Sequence, residues 1–283
     1  MRKRAAICLI FLLTFRTVVG ASGLCSRVHK SGLLYATDTL GPLYATLTSR
    51  EELLAHDKTA TWREAKAKFV RNGAGEEELY IEGLQVMSEF EAPYMREIAR
   101  EVTIHGGKIL NVGFGLGIID REIEALRDVT DISEHHIIEL NDEVADRAES
   151  WRKQQRYPER IFIHRGHWQD VVRELARAGI LFDGVAYDAF PLKKADLHRD
   201  FIPFFETIMD IRIVRPVTGV ISFYLDSTDG LGRRFKEFAS SLGVHDFQER
   251  VIPISLPAEE TQYWRQPFFI TPVLGHITYG TPL

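Results

Sequence analysis

The sequence predicts an α/β fold: a mostly parallel seven-stranded sheet with helices on both faces and a terminal antiparallel hairpin. Two patterns carry this. From residue 105 onward, short apolar runs rich in β-branched residues alternate with helical stretches, as βαβ units require. Near the C-terminus two further apolar runs follow each other with no helical stretch between them, so they are expected to pair antiparallel at the sheet edge.

The candidate parallel strands are KILNVGF (108–114), HHIIEL (135–140), RIFIHRG (160–166), FDGVAYDAF (182–190) and GVISFYL (219–225). Helical stretches fill the gaps near 117–128, 141–155, 168–178 and 197–214, and another lies near 230–242. FQERVIPISL (247–256) and YWRQPFFITPVL (263–274) supply the hairpin. Upstream, residues 58–103 read as helical segments that cap the cleft. No repeat or low-complexity linker interrupts the chain, so residues 58–283 are expected to form one domain, preceded by an extension (24–57) and an N-terminal segment (1–23).

Composition excludes several functions. A net charge of -5 offers no basic field for a phosphate backbone, so nucleic acid is not an expected partner. Both cysteines, Cys8 and Cys25, lie near the N-terminus, which removes disulfides, thiolate metal sites and cysteine nucleophiles from the body. His135, His136, His164 and His167 lie around strand ends without carboxylate or thiolate partners at ligand spacing, so no metal is expected. Arg212 and Arg215 read as a solvated face, and no serine sits in a glycine elbow.

The N-terminus runs MRKR, AAICLIFLLTF and then a small-residue stretch, VVGASG. A cleaved secretory signal, an organelle transit segment and a start placed too far upstream all fit this pattern. The apolar run is too short to span a bilayer, so no stable membrane span is expected in the mature protein.

The loop GFGLG (113–117) lies where a strand ends and a helix begins, so backbone can approach a ligand at a helix N-terminus. Ile118 occupies the last glycine position of G-x-G-x-x-G, which counts against a dinucleotide pyrophosphate. Glu139, at the end of the next strand, is placed to accept hydrogen bonds from both hydroxyls of a ribose.

Several segments between Trp62 and Leu274 resemble the guanidinoacetate N-methyltransferase family: WREAKAKF (62–69), VMSEFEAPYM (86–95), GGKILNVGFG (106–115), HHIIELND (135–142), WQDV (168–171), FDGVAYDAFPL (182–192) and QPFFITPVL (266–274). The VM-x(4)-E-x-PYM and YD-x-[FY]-PL segments are far more specific than the glycine loop. The resemblance implies a Rossmann-like class I methyltransferase fold and S-adenosylmethionine as cofactor. It implies that Phe114, Gly115, Leu116, Gly117, Ile118 and Ile119 line the methionine and ribose part of the cofactor, with Glu139 on the ribose and Leu140 and Asn141 near the adenine. Trp168 and Gln169 match a pair flanking the adenine, Met87 and Met95 match cofactor contacts, and Trp62 matches a lid tryptophan. Glu91 and Asp188 match the carboxylates that hold the guanidinium. A cofactor made and used mainly in the cytosol favours a cytoplasmic location.

Chemistry supports the two carboxylates independently. A guanidinium is planar, presents paired N–H donors and stays charged, so a fork of carboxylates binds it strongly. The same charge makes it a poor nucleophile. Methyl transfer therefore needs a base as the bond forms, here Asp188, with Glu91 as orienting partner.

Two positions depart from the family. Asn111 stands where the family carries an acid before the glycine loop, which removes a charge near the methionine end of the cofactor. Asp226 and Ser227 replace a Leu-Thr pair that receives the substrate carboxylate. An acceptor with an amino group at its far end, such as arginine, would suit Asp226, whereas guanidinoacetate, the creatine-forming acceptor, would suit an Asp226 turned to solvent. The expected partner is thus a small guanidino substrate. A protein arginine N-methyltransferase and a non-catalytic cofactor binder are the alternatives.

Overall fold

The computed structural model describes residues 59–190, 197–225, 227–256 and 264–280. The N-terminal segment and Asp226 lie outside them.

Seven strands form the main sheet in the order β6-β5-β4-β7-β8-β10-β9. They are β4 (Gly107–Val112), β5 (Ile132–Glu139), β6 (Ile161–Arg165), β7 (Gly184–Tyr187), β8 (Val220–Phe223), β9 (Val244–Pro253) and β10 (Phe268–Ile277). β4 to β8 run parallel, and β10 lies antiparallel to both β8 and β9. The hairpin arises as the sequence implies, because no helix separates β9 from β10 among the described residues. Burial follows the same logic: β7 and β8 are buried at every position, as central parallel strands covered on both faces must be.

Helices α3 (Ile118–Thr130), α4 (Asp142–Arg152), α5 (Trp168–Arg177), α6 (Leu197–Asp210) and α7 (Arg233–Ser241) connect the strands. Two apolar clusters result. One joins Ile109, Ile123 and Ile137 to the upstream residues Leu79, Phe90 and Tyr94, and the other gathers Leu110, Val185, Phe204, Phe205 and Phe223.

The upstream segment corrects the expectation of helical segments throughout residues 58–103. α1 (Thr59–Glu64) and α2 (Ala92–Val102) are helical, but between them lie β1 (Ala67–Arg71), β2 (Glu77–Ile81) and β3 (Leu84–Ser88), a separate antiparallel meander. Glu82 and Gly83 both adopt positive φ (50° and 77°), giving a two-residue hairpin turn whose twist matches the flanking strands. Asn72 closes the other turn, its Oδ1 accepting from the backbone of Ala74 and Glu76 at 3.0 Å each.

One further reading changes. His135 and His136 lie inside β5 and do have carboxylate neighbours: Asp120 and Glu124 for His135, Glu134 for His136. Arg212 and Arg215 lie toward solvent as the sequence implies; Arg215 also pairs with Asp183, and Arg212 donates to the Gly280 carbonyl at 2.8 Å.

Candidate active site

The site forms where β4, β5 and β7 end side by side. Beyond β4, Gly113 N–H donates to the Ile138 carbonyl (2.8 Å), and Asp188 N–H donates to the Val112 carbonyl (2.9 Å). Asp188 is thereby fixed beside the glycine loop.

Within that loop the glycines are required by neighbours. Gly115 (φ 54°) and Gly117 (φ 71°) are left-handed. A Cβ on Gly115 would stand 2.7 Å from the Met87 sulfur, and one on Gly117 would stand 2.5 Å from the Phe114 ring. Met87 reaches the loop from β3, its sulfur accepting from Leu116 N–H at 3.3 Å. Phe114, Leu116, Ile118 and Ile119 turn their side chains into the core, so they offer backbone groups to a ligand. Met95 is likewise a core side chain.

Glu139 is only 8% exposed. Its Oε2 accepts from Phe114 N–H (2.9 Å) and its Oε1 from Asn141 N–H (2.8 Å), with Gly115 and Leu140 N–H groups also directed at it. Burial pushes its pKa above the ordinary value against the pull of those donors. Asn141 caps α4 by accepting from Val144 N–H (3.0 Å), and its Nδ2 donates to the carbonyls of Trp62 and Ala65 at 2.8 Å each. It thus ties the Glu139 corner to the chain at α1. Trp62, 5% exposed, stacks on Phe190 at 5.3 Å with planes 4° apart, which sets α1 over the chain leaving Asp188.

The loop leading to α5 docks on the same corner, with Gly166 N–H donating to the Glu139 carbonyl at 2.9 Å. Trp168 is half-buried edge-on to Phe204, and Gln169 is exposed on the first turn of α5.

Glu91, 3% exposed, ends the single 3-10 turn before α2, and its Oε1 accepts from Ser88 N–H at 3.0 Å. Asp188 is partly exposed, yet protein surrounds its carboxylate closely. Burial pushes its pKa well above the ordinary carboxylate value, and the charges of Glu91 and Asp120 push it further. Among the described residues its carboxylate accepts no hydrogen bond. Such a pair of neighbouring carboxylates is suited to a planar cation.

Tyr94, the tyrosine of the PYM segment but given no role from the sequence, is fully buried and joins these parts: its hydroxyl donates to the Phe223 carbonyl (3.1 Å) and accepts from Leu225 N–H (3.0 Å). It also feels the charges of Asp188 and Glu91. Ser227 is engaged in its own turn, its Oγ accepting from Asp229 N–H at 3.2 Å.

The sequence profile described as guanidinoacetate N-methyltransferase matches residues 53–274. This chain belongs to that family. Curated relatives include a protein arginine N-methyltransferase 2 of Aspergillus oryzae, 37% identical over 121 residues, which are 42% of this chain and 27% of the relative. Another protein arginine N-methyltransferase 2, from Saccharomyces cerevisiae, is 30% identical over 156 residues, covering 52% of this chain and 33% of the relative. The match thus spans roughly a quarter to a third of these relatives' length. Among solved structures, spermidine synthase from Thermotoga maritima superposes with a TM-score of 0.52 at 16% identity, covering 75% of this chain and 69% of that one. A spermidine synthase in complex with the transition state analogue AdoDATO gives 0.55 at 14% identity, covering 75% and 71%. At that identity the likeness concerns the fold alone.

The family's cofactor fits the donor set. Each Glu139 oxygen accepts one backbone hydrogen bond of ordinary geometry and has a second acceptor site, so a ribose hydroxyl would take the place that the Gly115 and Leu140 N–H groups now face.

Proposed function

We propose that this protein methylates a guanidino nitrogen of a small acceptor of the guanidinoacetate or arginine type. The observation that carries the reading is the pair Glu91 and Asp188, two carboxylates close enough for one to raise the pKa of the other. A guanidinium between them would relieve that repulsion and gain charge-assisted hydrogen bonds.

The cofactor supplies an electrophilic sulfonium methyl. Glu91, fixed by Ser88 N–H, holds one edge of the guanidinium. Asp188 accepts the proton that leaves the nucleophilic nitrogen as the new N–C bond forms and the S–C bond breaks. Burial and the charges of Glu91 and Asp120 raise its pKa, which makes it a stronger base than an exposed aspartate. Trp62, stacked on Phe190, shields the reacting atoms from water. Trp168 and Gln169 border the adenine, with Asn141 linking that end to α1.

A second reading, methylation of arginine within a protein, is favoured by the names of the curated relatives. Labelled S-adenosylmethionine, incubated with guanidinoacetate, free arginine, an arginine peptide and a protein extract, separates the readings by mass. Turnover confined to the peptide and the extract would replace the small-acceptor reading. Intact cofactor binding with no methylated guanidine would refute both.

A further inference from the structure

Behind the glycine loop runs a chain of buried polar groups that the proposed reaction leaves unused. Asn111, Asp120 and His135 are each 0% exposed. Asn111 Nδ2 donates to the Gly113 carbonyl (2.8 Å) and to Asp120 Oδ1 (2.9 Å). His135 places Nε2 3.1 Å from that same oxygen and Nδ1 2.8 Å from Glu124 Oε1. Arg127 closes the chain, donating to both Glu124 oxygens at 2.7 Å and to the Ile132 carbonyl at 2.8 Å.

Two acceptors in this chain are unmatched. Asp120 Oδ2 and Asn111 Oδ1 are buried with no hydrogen-bond partner. Leaving a buried acceptor without a donor is costly, most of all on a carboxylate, so such a site calls for a donor in the working state. His135 meets two carboxylates, which outweigh burial and hold its pKa above the ordinary value. Asp120 is pushed up by burial, against the pull of His135 and Asn111, and the nearby charge of Glu124 adds to the rise. Its charge also reaches Asp188, on the other side of the loop.

We propose that Asp120, on the first turn of α3 and bridged to the glycine loop by Asn111, is the acid that answers the positive amino group at the amino-acid end of the cofactor. Asp120 stands nine residues along the chain from Asn111 and is hydrogen-bonded to it, so it brings a carboxylate to the position where the family resemblance leads one to expect an acid. Asn111 then acts as a positioning residue, joining the loop carbonyl to the charge. This inference rests on the cofactor and not on the guanidino acceptor, so it stands or falls separately from the reading of the substrate.

The test is calorimetric binding to the full chain of two ligands: S-adenosylhomocysteine, which has the amino-acid end, and methylthioadenosine, which lacks it. Asp120→Asn should weaken the first about tenfold, as loss of a charged hydrogen-bond partner implies, and leave the second within about twofold. The double variant Asn111→Asp/Asp120→Asn, which returns the acid to position 111, should recover S-adenosylhomocysteine binding. Equal weakening of both ligands, unchanged binding by Asp120→Asn, or no recovery in the double variant would overturn the proposal. Should Asp120→Asn fail to fold, the double variant decides: recovered folding with wild-type preference for S-adenosylhomocysteine over methylthioadenosine supports it, and failure to fold or loss of that preference makes Asp120 structural.

Discussion

An Asp188→Asn substitution removes one negative charge while keeping the side chain's size, and the structure fixes what should follow. The backbone bond from Asp188 to Val112 survives, and among the described residues no hydrogen bond to the carboxylate is lost. The folded-state pKa is raised, so the protonated form is favoured by folding. That contribution is fully present below the unfolded pKa of about 3.9 and is lost as pH rises through the folded value. Asn stays neutral throughout, so the variant should match the wild type near pH 4 and melt at a higher temperature at pH 8. Chemistry should move the opposite way. A lost general base costs about 10²–10⁴ in turnover. S-adenosylhomocysteine affinity should stay within about threefold, because no cofactor contact is removed. Thermal melts at two pH values, calorimetry and single-turnover methylation read these quantities separately. A lower melting temperature at pH 8, or cofactor affinity falling in step with turnover, would refute the assignment and make Asp188 a structural residue.

Further outcomes follow from the same geometry. kcat/KM for a guanidine should rise with pH through one deprotonation above the ordinary aspartate value. Since the Glu91 charge raises Asp188, Glu91→Gln should shift that profile to lower pH. The same variant should raise KM about tenfold or more through the lost charged hydrogen bond, which initial rates over a range of acceptor concentrations will measure. Asn141→Ala removes the α4 cap and both bonds to α1, so stability should fall by about 1 kcal/mol or more and S-adenosylhomocysteine should dissociate faster in stopped flow. Gly117→Ala puts a methyl group against the Phe114 ring at positive φ and should abolish cofactor binding, or prevent folding, as seen in a binding titration and a melt.

Much of the core was legible because periodicity and connectivity are local. Runs such as KILNVGF and HHIIEL alternate with helical stretches, and their spacing alone implies a parallel sheet. The meander was less visible. Its strands are five residues each and carry charges, as in AKFVR and EELYI, so neither period stands out over so short a window. The turns at Asn72 and Glu82-Gly83 were its clearest signal. Contacts between distant residues had no sequence signature. Phe190 under Trp62 and Tyr94 against the end of β8 depend on the fold to bring them together. Asn111 illustrates the limit best: read alone it looks like a lost charge, and only the structure places Asp120 beside it.

The two acids proposed to hold the guanidine come from opposite sides of the first crossing into the main sheet. Glu91 precedes β4 on the segment that also brings Met87 to the glycine loop, whereas Asp188 ends a strand of the sheet itself. The grip is therefore a joint between an ancillary arm and a common scaffold. Exchanging residues 59–102 with those of a relative would keep the scaffold's half of the grip and replace the other. On the proposed reading, acceptor preference is open to inheritance as a cassette, a route to new substrates that leaves the strands of the main sheet untouched.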